Sequence, residues 1–172
     1  RQLKELKTLN AITLAGTEST SEDEIIERVV RITSSVYDEV CGVLLLDDQA
    51  NVLTPHPSYF GANVENWKNG TPITQGVTGK SVLLGMPIRL GDVTKESAFI
   101  EIATGIKSEL CVPVRVNKKV IGILNVESRK SNAFDEEDEQ FLGTIAGTLG
   151  TALENVRLYE TERIRRKEAE SL

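Results

Sequence analysis

The sequence contains little of several residue types, and each shortage limits what the chain can be. Among 172 residues it has only two cysteines, Cys41 and Cys111, and one histidine, His56. Two thiols within apolar runs provide neither a disulfide framework nor a zinc-binding cysteine cluster. No apolar stretch approaches the roughly 20 residues of a membrane-spanning helix. We therefore predict a soluble, cytoplasmic domain with an apolar core, two free thiols and no membrane span.

Positive charge is outnumbered, since the chain has 20 Lys and Arg but 26 Asp and Glu, for a net charge of −6. Nucleic-acid binding depends on Lys and Arg that contact phosphates. The one basic run, 163–167, is surrounded by glutamates, and Glu162 with Arg166 forms an i, i+4 pair on a helix. One histidine with no nearby cysteine or aspartate cluster is a weak ligand set for zinc or haem. We expect no nucleic-acid partner, no metal and no cofactor.

Helical spacing of apolar residues marks both ends of the chain. Residues 1–15 have an irregular apolar stripe, and Ser21 with Glu24 forms a capping box before a second helix that is predicted to end near Val40. The 38 residues from Asp135 onward contain no proline. At about 1.5 Å per residue they predict a helix on the order of 55 Å long.

That last helix raises two questions. Five consecutive acids at 135–139 lie between Phe134 and Phe141, and a calcium loop would instead need alternating oxygen ligands and a glycine. We interpret Asp135 as the helix cap and the other acids as its first turn, where the helix dipole favours negative charge. A heptad-like seam follows, which predicts either packing on the domain's own sheet or a coiled coil with another helix: Ile145, Leu149, Ala152, Val156, Tyr159 and Arg163.

Between the terminal helices, the pattern predicts two hairpins. The first pairs residues 41–46 with 52–54 across a cluster of turn residues, and the second pairs 109–116 with 119–128 across Asn117-Lys118. The intervening part, 55–101, is less regular. In and just beyond it we predict a short helix at 77–84, a strand at 87–90 and another short helix at 98–104.

Two stretches of this order of elements resemble the GAF domain family. SELCVPVRVNKKVIGILNVESRKSNAFDEEDEQFLGTIAGTLGTALENVRLY, residues 108–159, is similar to the family's closing strands and helix. GVTGKSVLLGMPIRLGDV, residues 76–93, is similar to its middle motif, a Gly-Val-x-Gly helix that leads to a strand ending in Asp-Val. The resemblance extends over about residues 20–160.

The resemblance implies an α+β fold related to PAS domains. A five- or six-stranded antiparallel sheet would carry the N- and C-terminal helices on one face, and short helices and loops over a small-molecule pocket on the other. By analogy with the family's pocket, ten residues are predicted to line or converge on it: Phe60, Trp67, Ile73, Val77, Ile88, Arg89, Asp92, Phe99, Ser108 and Glu109.

By the same resemblance, we predict a non-catalytic sensory or regulatory module of a larger signalling protein. It would bind an unidentified small molecule and relay the signal through its C-terminal helix, as a homodimer formed by the terminal helices. The expected division is a linker helix at 1–18, a GAF domain at 19–160 and a helical linker at 161–172 toward an output domain. Because the chain opens on Arg1, we interpret it as a segment of a longer polypeptide.

Three alternatives stay open. One is a GAF domain that only dimerises, and another binds cyclic nucleotides. Phe134, Asp138 and Glu139 match half of the cyclic-nucleotide motif, but Glu127-Ser128-Arg129 stands where Asn-Lys would be expected. The third is a free methionine-(R)-sulfoxide reductase, a GAF enzyme whose thiolates converge on the pocket. Since residues 78–109 contain no cysteine, we predict that the chain is not an enzyme.

Overall fold

The computed structural model describes residues 1–172 as a layered α+β domain. Its four α-helices are α1 (Gln2–Glu18), α2 (Glu22–Ser34), α3 (Gly76–Leu84) and α4 (Glu136–Glu170). Its six strands are β1 (Val40–Asp47), β2 (Val52–Pro55), β3 (Thr71–Pro72), β4 (Ile88–Leu90), β5 (Ser108–Val116) and β6 (Lys119–Ser128). Short 3₁₀ helices occupy Val64–Trp67 and Val93–Lys95.

The strands form one antiparallel sheet in the order β3-β2-β1-β6-β5-β4. The predicted second hairpin is confirmed, and Asn117 and Lys118 have φ angles of 52° and 67°. Two consecutive positive φ values suit a tight hairpin turn, because its twist matches that of the strands. This architecture confirms the predicted fold class, and the sheet has six of the predicted five or six strands.

The main core lies between one face of the sheet and helices α1, α2 and α4. Alternation along β5 and β6 directs Leu110, Val112, Leu124 and Val126 toward this face, where all are at most 1% exposed. Helix α4 contributes Leu142, Ile145, Leu149 and Leu153 to the same cluster. Since burial of such a side chain stabilises by about 1.5–3 kcal/mol, this layer holds the sheet and the terminal helices together.

The acidic stretch before α4 has the predicted structural role. The Asp135 side chain accepts a hydrogen bond from the Asp138 amide at 2.9 Å, and the Asp138 side chain accepts one from the Asp135 amide at 2.8 Å. This reciprocal capping box satisfies backbone N–H groups that the first helical turn leaves unpaired. Phe134 and Phe141 on either side are buried in the main core.

Helix α4 uses only the first part of its apolar seam inside the domain. Ile145, Leu149, Ala152 and Val156 are buried, whereas Tyr159 is 68% exposed. This agrees with the expectation of packing on the domain's own sheet as far as Val156. The coiled coil and the homodimer stay predictions. No helix is both long and apolar enough to span a bilayer.

Two predicted helical segments are wrong. Helix α2 ends at Ser34 instead of near Val40, because the Ser34 and Ser35 hydroxyls donate to the carbonyls of Arg31 and Ile32 and so compete with further helical bonds. Residues 98–104 contain no helix. This stretch is instead an irregular segment of turns and bends, in which Ile100 and Ile102 line a cavity.

Candidate functional site

A cavity lies on the face of the sheet opposite the terminal helices. It is bounded by β1, β2, β5 and β6, by the N-terminus of α3, and by the segments around residues 59–71 and 100–102. Its volume is about 50 Å³. A single buried water needs about 10–15 Å³, so the cavity in this conformation has room for about three to five waters, and an amino-acid ligand requires it to widen.

Most of the cavity wall is apolar, but its floor on the central strands is polar. The apolar wall includes Leu44, Leu53, Trp67, Val77, Ile100 and Ile102. The floor carries Glu109 from β5, Asn125 and Glu127 from β6, and Tyr59 from the turn after β2. Such a composition, an apolar enclosure with few convergent polar groups, is typical of small-molecule sites.

Strand alternation places the two glutamates side by side. Glu109 and Glu127 are directly paired across the β5–β6 ladder, on the face opposite Leu110 and Val126. They are only 3% and 2% exposed, and neither forms a salt bridge with a Lys or Arg side chain. A buried carboxylate without a counter-charge is costly, so this pair needs a functional or electrostatic explanation.

Three buried acceptor atoms on this floor have no hydrogen-bond partner within the protein. They are Glu109 Oε2, Glu127 Oε2 and Asn125 Oδ1. The Asn125 amide nitrogen is engaged, since Nδ2 donates to the Tyr59 hydroxyl oxygen at 2.9 Å. Buried polar atoms in native proteins are nearly always paired. For these oxygens the protein therefore supplies no donor other than a carboxyl proton shared between Glu109 and Glu127.

Burial governs the protonation of the floor. It raises the pKa of Glu127 to about 7, against lowering contributions from Asn125 and Arg129. Burial, followed by the charge of Glu127, raises the pKa of Glu109 well above its usual range. The pKa of Tyr59 is likewise raised by burial, so its phenol stays neutral. At neutral pH the two glutamates together therefore carry at most about one negative charge.

A glycine in β1 creates the space for Tyr59. A Cβ on Gly42 would lie only 2.0 Å from Tyr59 Cδ2 and 2.3 Å from its Cγ, far inside contact distance. The ring therefore lies directly against the strand backbone. This close approach lets the hydroxyl reach Asn125 from a turn outside the sheet.

The N-terminus of α3 borders the same cavity. Gly76, Val77 and Thr78 line it, and the N-cap residue Gln75 makes no side-chain hydrogen bond to the helix. The first backbone N–H groups of a helix have no intrahelical partner and carry partial positive charge. The cavity thus has acceptors on its floor and a potential anion-binding helix terminus on its rim.

The two thiols occupy opposite faces of the sheet. Cys41 lies in the main core, whereas Cys111 lies on the cavity face in a small cluster with Leu53, Val77 and Ile123. Both are fully buried, and burial raises the pKa of each thiol. Neither thiol is part of the cavity surface. Leu53 and Val77, which belong to the same cluster as Cys111, do line the cavity.

The structure brings together three of the ten predicted pocket residues. Trp67, Val77 and Glu109 line the cavity. Ile73, Ile88 and Phe99 pack in the apolar clusters of this face, and Phe60 is 46% exposed.

The remaining three predicted pocket residues are polar and have partners outside the cavity. On β4, the Arg89 side chain points to the face opposite Ile88 and Leu90. Its Nε lies 3.8 Å from Glu139 Oε1 of α4. The Asp92 side chain accepts hydrogen bonds from Thr94, and the Ser108 hydroxyl donates to the Lys130 carbonyl at 2.6 Å. Of the predicted polar group, only Glu109 reaches the cavity.

Sequence reasoning missed Tyr59, Asn125 and Glu127. Tyr59 carries no local signal, because a turn residue outside the sheet comes to the floor only through tertiary packing. Asn125 and Glu127 did carry one, since they are polar residues at alternating positions of a strand whose other residues are apolar. Polar residues on the interior face of a central strand indicate a site or a buried network.

Comparisons with known proteins identify relatives of two kinds. The family model described as GAF domain matches residues 19–154. The free methionine-R-sulfoxide reductase of Escherichia coli is 30% identical over 112 residues, which are 65% of this chain and 64% of that protein. Protein YtsP of Bacillus subtilis is 37% identical over 82 residues, 48% of this chain and 50% of YtsP. The chain thus spans about half to two thirds of these relatives.

Solved structures share the fold. The free methionine-R-sulfoxide reductase of Neisseria meningitidis, in complex with its substrate, superposes with a TM-score of 0.82 at 23% identity, over 90% of this chain and 91% of that one. The GAF domain of a phosphoenolpyruvate-protein phosphotransferase from Coxiella burnetii gives 0.82 at 21% identity, over 92% and 98%.

These findings contradict the prediction of a non-catalytic sensory module, and with it the prediction that the chain is not an enzyme. The relatives in sequence and in fold include enzymes that reduce free methionine-R-sulfoxide. The prediction was wrong because it took the absence of cysteine from residues 78–109 as the absence of catalytic groups. It also gave no weight to Asn125 and Glu127, whose alternating polar positions on β6 indicate a site or a buried network.

Proposed function

The chain belongs to the GAF domain family, and we propose that its cavity binds free methionine-R-sulfoxide, or a free amino acid of similar size, and reduces the sulfoxide. The observation that carries the proposal is the set of three buried, unpartnered acceptors on the cavity floor. The named activity of the relatives supplies the candidate substrate.

The floor suits an ammonium group. An ammonium has three N–H donors and a positive charge, and the floor offers Glu109 Oε2, Glu127 Oε2 and Asn125 Oδ1. Ionisation of one glutamate would give a charge-assisted hydrogen bond, which is about twice as strong as a neutral one. A free α-amino group thus satisfies both the empty acceptors and the missing counter-charge.

The rest of the cavity suits the other parts of such a ligand. A carboxylate fits the unpartnered N–H groups at the start of α3, where Gly76 allows close approach. The apolar wall, with Trp67, Val77 and Ile102 among its residues, suits a short chain ending in a methyl sulfoxide. The opposite charges of a zwitterion thus each have a partner in one cavity.

Reduction of a sulfoxide consumes two electrons and two protons, which thiols can supply, and Cys111 is the only cysteine on the cavity face. In the proposed step its sulfur attacks the sulfoxide sulfur and the S–O bond breaks. The oxygen passes to the cysteine as sulfenic acid and the substrate leaves as thioether. Two equivalents of a small-molecule thiol then restore the cysteine, with loss of water and formation of a disulfide.

The resting structure sets a condition on this step. Cys111 is fully buried beneath α3, and burial raises its pKa, so its reactive thiolate is disfavoured until the thiol is uncovered. The region around α3 must therefore move for Cys111 to reach a ligand, and we expect slow turnover limited by that motion.

Binding is tested by calorimetry with free L-methionine-R-sulfoxide. We expect saturable binding of the free amino acid. The N-acetyl derivative should bind at least about tenfold more weakly, because acetylation removes the ligand's ammonium charge, which is the proposed partner of the glutamates. Equal affinity for both compounds would show that Glu109 and Glu127 do not recognise the amino group.

Turnover is tested with Cys111→Ser, using Cys41→Ser as the matched control on the opposite face of the sheet. With a small-molecule dithiol as reductant, we expect Cys111→Ser to lower the rate of methionine formation at least 100-fold, since a hydroxyl cannot accept the oxygen. Cys41→Ser should keep the rate within about threefold. Turnover that survives Cys111→Ser would exclude Cys111 as the reducing thiol.

A further inference from the structure

The glutamate pair on the cavity floor has a second consequence, which concerns protons. Glu109 and Glu127 face each other on neighbouring strands, nearly without solvent contact. No Lys or Arg side chain lines the cavity with them. Two adjacent carboxylates in such a place cannot both ionise, because each charge disfavours the other and water does not screen them.

We infer that the cavity exchanges a proton for the cation of its ligand: the Glu109–Glu127 pair holds a proton while the cavity lacks a cation and releases it when an ammonium binds. This inference rests on the proposed ammonium site and adds its regulation by pH. It makes the pair the specificity determinant for cationic amines, because a neutral ligand cannot take the place of the proton.

The side chains around the pair are neutral or negatively charged, so none of them replaces the ligand's positive charge. Tyr59 from the turn after β2 and Cys111 on β5 are neutral, since burial raises the pKa of both groups. Glu101, in the segment before β5, adds negative charge and raises the pKa of Glu127. Helix α3 and strand β1 contribute no charged side chain to the cavity lining.

Arg129, just after β6, is the one cationic side chain whose charge shifts the pKa of Glu127. It lowers the pKa of Glu127, but less than burial raises it. Its guanidinium is directed elsewhere, with Nε donating to the Thr104 carbonyl at 3.0 Å and Nη1 lying 3.9 Å from Glu39. The side chain is also 48% exposed. Arg129 therefore does not neutralise the pair, and an incoming cation remains the missing partner.

The exchange predicts a distinctive pH dependence of affinity. With the pKa of Glu127 near 7, the pair is fully protonated well below neutral pH, and each bound cation must displace one proton. Affinity should then rise by up to about tenfold per pH unit toward pH 7 and level off above it. The number of protons released should fall from about one at pH 6 to nearly zero at pH 8.

Calorimetry measures the released proton directly. Free L-methionine-R-sulfoxide and n-propylammonium chloride are titrated into the full chain at pH 6, 7 and 8, in phosphate and in MOPS buffers, neither of which contains a primary amine. The two buffers have different heats of ionisation, so a released proton appears as a difference between the measured binding enthalpies. The double variant Glu109→Gln/Glu127→Gln should release no proton and bind the cation at least about tenfold more weakly, with Glu65→Gln on the surface as control.

The outcomes separate this inference from the proposed function. Binding of the sulfoxide with equal enthalpies in both buffers at pH 6 would overturn proton exchange and leave the ligand assignment intact. Proton-releasing binding of propylammonium without binding of the sulfoxide would overturn the ligand assignment and support the exchange. Failure of both probes to bind at every pH would overturn both.

Discussion

Glu127→Gln is expected to stabilise the protein at pH 8 by about 3 kcal/mol and to leave its stability at pH 4 nearly unchanged. The reason is the cost of ionising a carboxyl group that is 2% exposed and has no cationic partner. Its pKa is raised from 4.5 to about 7 in the folded protein. Each pKa unit corresponds to about 1.4 kcal/mol, and glutamine has nearly the same shape without the charge.

The sign follows from proton binding in the two states. Between pH 4.5 and about 7 the folded protein keeps a proton on Glu127 that the unfolded chain has already lost. The free energy of unfolding of the unmodified chain should therefore fall as the pH rises through this window, and level off above it. Glu127→Gln should lack this decline, and its melting temperature should exceed that of the unmodified chain by about 5–10 °C at pH 8.

Urea unfolding at pH 4 to 8 is the measurement, and Glu65→Gln is the control because Glu65 is exposed and forms no salt bridge. Glu65→Gln should change the free energy of unfolding by less than about 0.5 kcal/mol at every pH. Parallel pH profiles for Glu127→Gln and the unmodified chain would show that Glu127 ionises freely. That result would also remove the electrostatic basis of proton exchange.

Gly42→Ala is expected to destabilise the domain by about 3 kcal/mol, although it adds only one methyl group. The new Cβ would overlap the Tyr59 ring, whose Cδ2 and Cγ lie 2.0 and 2.3 Å from the ideal position. The ring cannot swing aside easily, because Tyr59 is 7% exposed and its hydroxyl is held by Asn125. Overpacking of this kind typically costs about 1–3 kcal/mol, and breaking the buried hydrogen bond adds to it.

A double-mutant cycle identifies the cause. Tyr59→Ala alone should cost about 3–5 kcal/mol, as for other large aromatic residues in cores. In that background, Gly42→Ala should change stability by less than about 0.5 kcal/mol, because the ring that it would strike is gone. Chemical denaturation of the four proteins gives the coupling energy. An undiminished cost of Gly42→Ala without the tyrosine ring would assign the effect to the strand backbone instead.

Much of the fold could be predicted from sequence because it depends on local periodicity. The hairpin at Asn117-Lys118, the cap at Asp135 and the helix after it were each signalled by a few neighbouring residues, and the structure contains all three. The wrong helix at 98–104 arose where the local pattern was short and ambiguous. There the chain forms turns and bends that place Ile100 and Ile102 in the cavity wall, a tertiary contact that the local pattern does not encode.

The candidate site was less predictable, because its residues come from distant parts of the chain. Tyr59 and Asn125 are 66 residues apart in the sequence. They come into contact only because Gly42 has no side chain and leaves space for the Tyr59 ring. Arg89, Asp92 and Ser108 looked like pocket residues by analogy. Strand direction and local capping give them other partners.

By itself the sequence determined the alternation of β5 and β6, the capped start of α4 and the membership in the GAF family. Each of these depends on residues that are close together in the chain. Only the tertiary structure decided that Glu109 and Glu127 share one dry floor, that Cys111 lies behind the cavity wall and that Cys41 lies on the other face. Ionisation and reactivity depend on burial and on neighbouring charges, and these arise when strands distant in sequence pair and are covered.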